Sequence, residues 1–389
     1  MNILTIRHDT PGCADQVFLN SAGASLMPRQ VVARMKAYLD EETEAGGYAV
    51  AEKHAAEIAQ FYVQAARLIN TQPENIAFAF SATEAYIKAL LSIPFVQGDY
   101  IVTTNDDYAS NQLAFLSAQQ RWGVHIVRAN NTAAGDIDLD HMEQLIKTHK
   151  PRLVAVTHVP TSSGLVQQAA AVGELCRRYN CLYLVDACQS VGQLPVDIQA
   201  IGCDFLTATG RKFLRGPRGT GFLYVSDRVL SEKLEPLYID MRGAAWTGAD
   251  QYTTRTDARR FETWELPYAA LTGLTEAMHY AMELGLEYIA TRNHMLSSLL
   301  RKQLATVPGV QVLDRGTEQC SIVTFTRAGF SQEQLEALLH THAIRYSVTS
   351  KTSAQIDFSA KGIEWAIRLS PHYFNTEAEI NRVSAVLQA

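Results

Sequence analysis

Three short stretches of this chain carry residue types that could do chemistry together. The first is LTATGRKFLRGPRGTGFLYV, residues 206–225, where Arg211 and Lys212 sit between an apolar strand pattern and a glycine-rich turn. Burial at such a turn works against an ammonium charge. A lysine without its charge is an amine that can form a Schiff base with an aldehyde. A solvated basic turn would read the same way in isolation. The phosphate-loop pattern G-x-x-x-x-G-K-[ST] is absent, because here the lysine precedes the glycines.

The second stretch is LYLVDACQS, an apolar run ending in Asp186, 26 residues before Lys212. An aspartate there would pair with a protonated pyridine nitrogen, or would cap a helix. The third is FAFSATEAYIKALL, residues 78–91, a strand, a small-residue turn and a helix. The N–H groups of Ala82, Thr83 and Glu84 at that helix start would bind an anion, although a capping role for Glu84 explains the same pattern. An amine, a carboxylate and a phosphate cradle together describe a site for pyridoxal 5′-phosphate (PLP) better than any one structural explanation does.

Positioning them requires a sheet. YIVTT (100–104), HIVRA (125–129), LVAVTHV (153–159) and LYLVDA (182–187) read as strands. ASNQLAFLSAQQRWG, LDHMEQLIKTHK and AVGELCRRYN read as the helices between them. That alternation predicts a doubly wound α/β domain with a mostly parallel sheet, which binds ligands beyond the carboxyl ends of its strands. Upstream, helices are expected over 28–44, 52–70 and 82–92. From about residue 269 the pattern becomes a long helix to 304, a strand over 321–327, a helix over 331–341 and a strand over 366–370. The expected organisation is an N-terminal segment, 1–25, crossing to a small domain, then a large α/β domain, 26–255, and a smaller C-terminal α+β domain, 256–389.

The bulk numbers exclude several classes. With 389 residues, 47% hydrophobic and 19% charged, the chain is an ordinary globular protein of two or three domains. A net charge of −6 argues against a nucleic-acid partner. No apolar run is long enough to span a membrane and no secretory signal opens the chain, so the expected location is the cytoplasm. The six cysteines show no C-x-x-C and no metal spacing. No metal site is expected.

The chain resembles the fold-type I PLP-dependent enzymes of the class V aminotransferase family, which includes cysteine desulfurases, C–S lyases and isopenicillin N epimerase. The likeness runs from FLNSAG (18–23) to RLSPHYFNTEAEI (368–380) and is most specific over DACQSVGQLPVDIQAIGCDFLTATGRKFLRGPRGTGFLYV. The resemblance implies that Lys212 holds PLP covalently, that Asp186 pairs with the ring nitrogen and that Gln189 approaches the phenolic oxygen. It implies a phosphate site from Ala82, Thr83, Thr209 and Arg211, and Tyr108 in place of the histidine that stacks on the ring. Arg368 would hold the carboxylate of a small amino-acid substrate. Relatives are homodimers with composite sites, so RRFETWE (259–265) is expected to reach the partner's site.

Departures from the family pattern narrow the reaction. Cysteine desulfurases carry a catalytic cysteine before the carboxylate-binding arginine, and residues 345–370 contain none. Cys320, in a strand pattern, is a poor substitute. Thr161 stands where relatives have a ring-contacting asparagine, and Arg211 replaces the usual histidine before the lysine. A threonine given to the neighbour's phosphate is missing near Trp264 or Glu265. His158 is either a core histidine or a ring contact, and His372 either structural or near substrate. Tyr48, Trp264 and Tyr346 are candidates for the substrate pocket, with ordinary packing as the alternative. The expected activity is β-elimination from a cysteine-derived substrate, giving pyruvate and ammonia without a protein persulfide. The same first proton transfer would serve an epimerase or an aminotransferase, and a PLP-binding sensor is the non-enzyme alternative.

Overall fold

The computed structural model describes residues 2–388. Seven strands form the central sheet: β1 (Ile76–Ala79), β2 (Tyr100–Thr104), β3 (His125–Ala129), β4 (Leu153–Thr157), β5 (Leu182–Asp186), β6 (Phe205–Thr209) and β7 (Gly221–Val225). Their order is β1-β7-β6-β5-β4-β2-β3. Pairing is parallel from β3 to β6, and β7 runs antiparallel to both β6 and β1.

These strands are apolar at nearly every position because both faces are covered, and alternate residues go to opposite cores. Val154, Val156, Tyr183, Val185, Leu206 and Phe222 face one core, against the helices Ala55–Leu68 and Tyr268–Leu284. Leu153, Ala155, Leu182, Leu184, Phe205 and Leu223 face the other, against the helices Ala82–Leu91 and Ala109–Trp122. Each large apolar side chain so enclosed stabilises the fold by about 1.5–3 kcal/mol before chain entropy is counted. This is the doubly wound α/β architecture expected, with helices on both faces.

A second, antiparallel sheet has the order β8-β9-β11-β10, from β8 (Val310–Val312), β9 (Val323–Arg327), β10 (Ser347–Ser350) and β11 (Trp365–Leu369). Arg368 lies on the interior strand β11, opposite Thr324 of β9 and Ser347 of β10. The N-terminal segment is joined to this region: Val17–Phe18 pairs in parallel with Ile344–Arg345, and Asn20 bridges to Ser370.

The helix expected over 269–304 is two helices, Tyr268–Leu284 and Leu286–Leu304, separated by Gly285 at φ +88°. Only glycine adopts that conformation without strain, so the apolar repeat crosses a break that periodicity does not register. The large core runs past the break. Leu271, Leu274, Met278 and Ile289 pack into it, while Leu296, Leu300 and Leu304 pack into the small one. We propose that the divide between lobes falls within the second helix, between Ile289 and Leu296, rather than at residue 256. The helix expected over 52–70 likewise starts later, as Ala55–Leu68, after a separate turn of helix Gly47–Lys53. Among the described residues no helix is long and apolar enough to cross a membrane, and no group of metal-ligating side chains is assembled.

Candidate active site

The carboxyl ends of β4, β5 and β6 converge on a cleft. Lys212, Asp186, Gln189, Thr161 and Tyr108 line it, with Ala82, Thr83, Thr209 and Arg211 at the opposite end. Asp186 is the last residue of β5, in register with Thr157 of β4 and Thr207 of β6. Its Oδ1 accepts the Cys188 N–H at 2.9 Å, and its Oδ2 accepts the Asn111 amide at 3.0 Å. Both oxygens are therefore held in place while the carboxylate faces the cleft.

Lys212 follows β6 on a tight turn. Arg215 N–H donates to Lys212 O at 2.9 Å, and Gly216 N–H to Gly210 O at 2.8 Å. Arg215 adopts φ +62° and is almost wholly buried, without a carboxylate partner among the described residues. Its guanidinium donates to Leu26 O, Tyr373 Oη and Thr10 Oγ1 and lies 4.8 Å from the centroid of Phe374. The cation is satisfied by three acceptors and a ring face, and the turn is thereby sewn to both ends of the chain. Burial lowers the Lys212 pKa, which favours the free amine. Its Nζ lies 5.9 Å from the centroid of the Tyr108 ring.

Gly192 lets the turn after Asp186 approach the Lys212 turn. It has φ +89°, and a Cβ there would stand 2.4 Å from Leu214 N and 2.5 Å from Phe213 C. Gly192→Ala is therefore expected to cost about 2–4 kcal/mol, from overlap plus a disfavoured backbone. Scanning calorimetry should show a Tm lower by several degrees; an unchanged Tm would mean the two turns separate freely.

At the other end, the helix Ala82–Leu91 begins at the cleft. Ser81 Oγ accepts Glu84 N–H at 3.1 Å, and Glu84 carboxylate accepts Phe80 N–H at 2.7 Å. The expected use of Glu84 N–H in an anion site is corrected by this: Ser81 occupies it. The N–H groups of Ala82 and Thr83 belong to the first helical turn, where no carbonyl of the helix reaches them. Gly221 brings β7 against this point, since a Cβ there would meet Ala208 O at 2.4 Å and Ala82 N at 3.4 Å.

Arg368, 8% exposed, does not itself line the cleft but reaches Thr161 of its wall from the second sheet. Its Nη1 donates to Thr161 O at 2.9 Å and Thr161 Oγ1 at 2.7 Å, and its Nε to Ser347 Oγ at 2.9 Å. Burial, with Arg211 nearby, brings its pKa down to about 10, so it remains a cation at neutral pH. Thr161 Oγ1 also accepts the Gln189 amide at 2.9 Å, while Gln189 Oε1 is buried without a partner among the described residues.

Several expected residues lie elsewhere. His158 is not in the cleft wall: Thr157, Val159 and Thr161 are, so the residue between the first two points away. Burial of its ring depresses its pKa to about 4, so it is a neutral, half-buried histidine. His372 is fully buried, with Nε2 at 2.8 Å from Phe213 O, and braces the Lys212 turn. Tyr48 and Trp264 do not line the cleft of this chain; they are 83% and 48% exposed, and Trp264 N–H is tied to Asp240 at 2.7 Å. Tyr346 packs on the small core and donates to Glu336 at 3.1 Å. Asp107, Asn111, Thr157 and Cys188 cluster around Asp186 and were not anticipated, because only the strand register brings them there.

The donor set fits PLP. Main-chain N–H groups and the Arg211 cation suit a phosphate, Asp186 suits a protonated ring nitrogen, and the buried amine of Lys212 stands between them. The unpartnered Gln189 Oε1 in the wall shows that the protein alone does not satisfy this cleft.

Comparison with known proteins agrees. The family model described as Aminotransferase class-V matches residues 17–383. A protein of Methanothermobacter thermautotrophicus named "Probable cysteine desulfurase" is 28% identical over 390 residues, covering 98% of this chain and 96% of that one. The apo structure of a cysteine desulfurase from Thermococcus onnurineus superposes with a TM-score of 0.92 at 24% identity, covering 100% of this chain and 98% of the other. The cystine C-S lyase C-DES, solved with its reaction product cysteine persulfide, superposes with a TM-score of 0.86 at 24% identity, covering 97% and 99%.

Proposed function

The chain belongs to the class V aminotransferase family of PLP-dependent enzymes, and we propose that it is a C–S lyase acting on a cysteine-derived amino acid. The observation that carries this reading is the placement of its thiols. Residues 345–370, which lead to Arg368, hold no cysteine. Cys320 is 2% exposed, and burial pushes its pKa up to about 12. Cys188 lines the cleft, but burial and the neighbouring Asp186 raise its pKa well above the usual thiol range. Neither is the exposed thiolate that takes a sulfur atom onto the protein. Sulfur therefore leaves on its own substituent.

When bound, PLP supplies an aldehyde for the amine and a ring that accepts the electron pair left at the substrate α-carbon. Ala82 and Thr83 N–H, Thr209 and Arg211 hold its phosphate in this reading, and Gln189 stands by its phenolic oxygen. Asp186 keeps a proton on the ring nitrogen. Arg368 orients the substrate by its carboxylate. The amine of Lys212, with its low pKa, takes the α-proton. The β-carbon–sulfur bond then breaks with its electron pair leaving on sulfur. Water completes the balance, giving a thiol or persulfide, pyruvate and ammonium.

We further propose a homodimer in which Trp264 and Tyr48 complete the partner's site. The exposed Trp246 and Tyr252 on the hairpin Ala244–Thr254 provide apolar surface for such an interface. Sedimentation should give twice the chain mass.

The reaction is tested by incubating the holoenzyme with cysteine, cystine, S-alkylcysteines and a cysteine sulfoxide. Pyruvate and ammonia in equal amounts are expected. Alanine from cysteine with a persulfide on the protein would replace the lyase by a desulfurase. Deuterium entering unchanged substrate, without pyruvate, would replace it by an epimerase, and a pyridoxamine spectrum by an aminotransferase.

A further inference from the structure

A second carboxylate stands behind Asp186. Asp107 Oδ1 accepts the Tyr108 N–H at 2.8 Å, the Asn111 amide at 3.2 Å and the Thr157 hydroxyl. Its Oδ2 accepts the Thr103 hydroxyl at 2.8 Å and the Gln112 amide at 3.2 Å. Gln112 can only present its amide here, because Arg128 donates to its Oε1 at 2.6 Å. Both oxygens thus face N–H donors, and a proton on either would displace one of them. The pattern suits an ionised carboxylate.

The same Asn111 amide reaches Asp186 Oδ2 at 3.0 Å, so one side chain bridges the two acids. Thr157 lies between them, accepting from Asn111 at 3.3 Å while donating to Asp107. The other titratable groups facing this pair are Arg128, Lys212, Tyr86 and Cys188. Burial holds the last two neutral. Burial and the neighbouring Asp186 carboxylate raise the Asp107 pKa, and the Thr157, Thr103 and Asn111 donors oppose that.

Resting on the reading of the cleft as a PLP site, we propose that Asp107 is a positioning residue for Asp186. Through Asn111 and Thr157 it places a second negative charge behind the carboxylate that faces the ring nitrogen. Two like charges this close stabilise a proton on that nitrogen more than Asp186 does alone. Neutralising Asp107 should let the nitrogen lose its proton at lower pH.

The test reads that proton directly. Wild type, Asp107→Asn and Thr157→Val are loaded with PLP carrying ¹⁵N in the ring, and the resonance is followed from acid to alkaline pH. Wild type should keep the protonated shift throughout. In Asp107→Asn the resonance should move to the unprotonated position within the range, and washout of the substrate α-proton into deuterated solvent should slow about tenfold or more, one pKa unit being tenfold. Thr157→Val should move it in the same direction by less. A protonated shift in both variants overturns the proposal. Should Asp107→Asn not fold, Thr157→Val decides alone, and an unmoved titration there overturns it. A wild-type protein that takes up no PLP would be a different failure, that of the cofactor reading itself.

Discussion

Lys212→Ala is expected to lower turnover by about 10³-fold or more, the range that a positioned general base contributes. The side chain is 8% exposed and lies on a turn held by the Arg215 bonds, so no other lysine is carried to the same point by a small adjustment. Among the described residues, Lys212 is the only lysine in the cleft wall. Treatment with borohydride should fix PLP to the wild-type protein at Lys212, seen as a mass increase on the peptide containing it. The variant should lose that label and the visible absorbance of the lysine-bound cofactor. The fold should persist, since among the described residues the buried amine makes no hydrogen bond whose loss would leave an orphan. A label appearing on another lysine, or turnover near the wild-type rate, would remove Lys212 from its role.

Arg368→Ala is expected to reduce kcat/KM by about 10²–10³-fold, mostly through KM. Hydrogen bonds to a charged group are worth about 1.5–3 kcal/mol each, and a carboxylate on this guanidinium would take two. Arg368→Lys should recover little, because a single ammonium cannot reproduce a planar fork. Ser347 and Thr161 already hold Nε and Nη1, which fixes the guanidinium plane, so a bidentate carboxylate would take Nη2 and displace Thr161 from Nη1. Only the cation binds a carboxylate. With its pKa brought down to about 10, Arg368 is fully charged below that value and substrate affinity should fall as pH rises through it. Initial-rate kinetics across alkaline pH, for wild type and both variants, check the three statements. An unchanged KM in Arg368→Ala would place the carboxylate elsewhere.

Much of the frame was legible because its signals are local. The strands at 100–104 and 125–129 lie where the apolar runs put them, since short buried strands are bounded by turns on both sides. Lys212, Asp186, Gln189 and Ala82 meet in one cleft because each ends or follows a strand on the same edge of the sheet. What sequence could not show depends on register and backbone sign. Gly285 breaks a helix through its positive φ, which apolar periodicity ignores. His158 lies outside the cleft wall because its neighbours on either side take it. Asp107 and Asn111 come beside Asp186 only once β2 is paired with β4 and β4 with β5, and nothing in DDYASNQ alone says so.

The threading of the N-terminal strand beside residues 344–345 has a consequence for biosynthesis. Ala22 accepts from Gln189 and its N–H donates to Ser370, and Arg211 donates to Gly23. The cleft therefore draws on chain positions from 22 to 370. A nascent polypeptide still short of that last segment has the large sheet's residues but not the wall that closes over them. Contacts so distant along the chain are slow to form. The large sheet can be covered by its own helices once residue 284 has emerged, so what waits for the last segment is the finished cleft rather than the sheet.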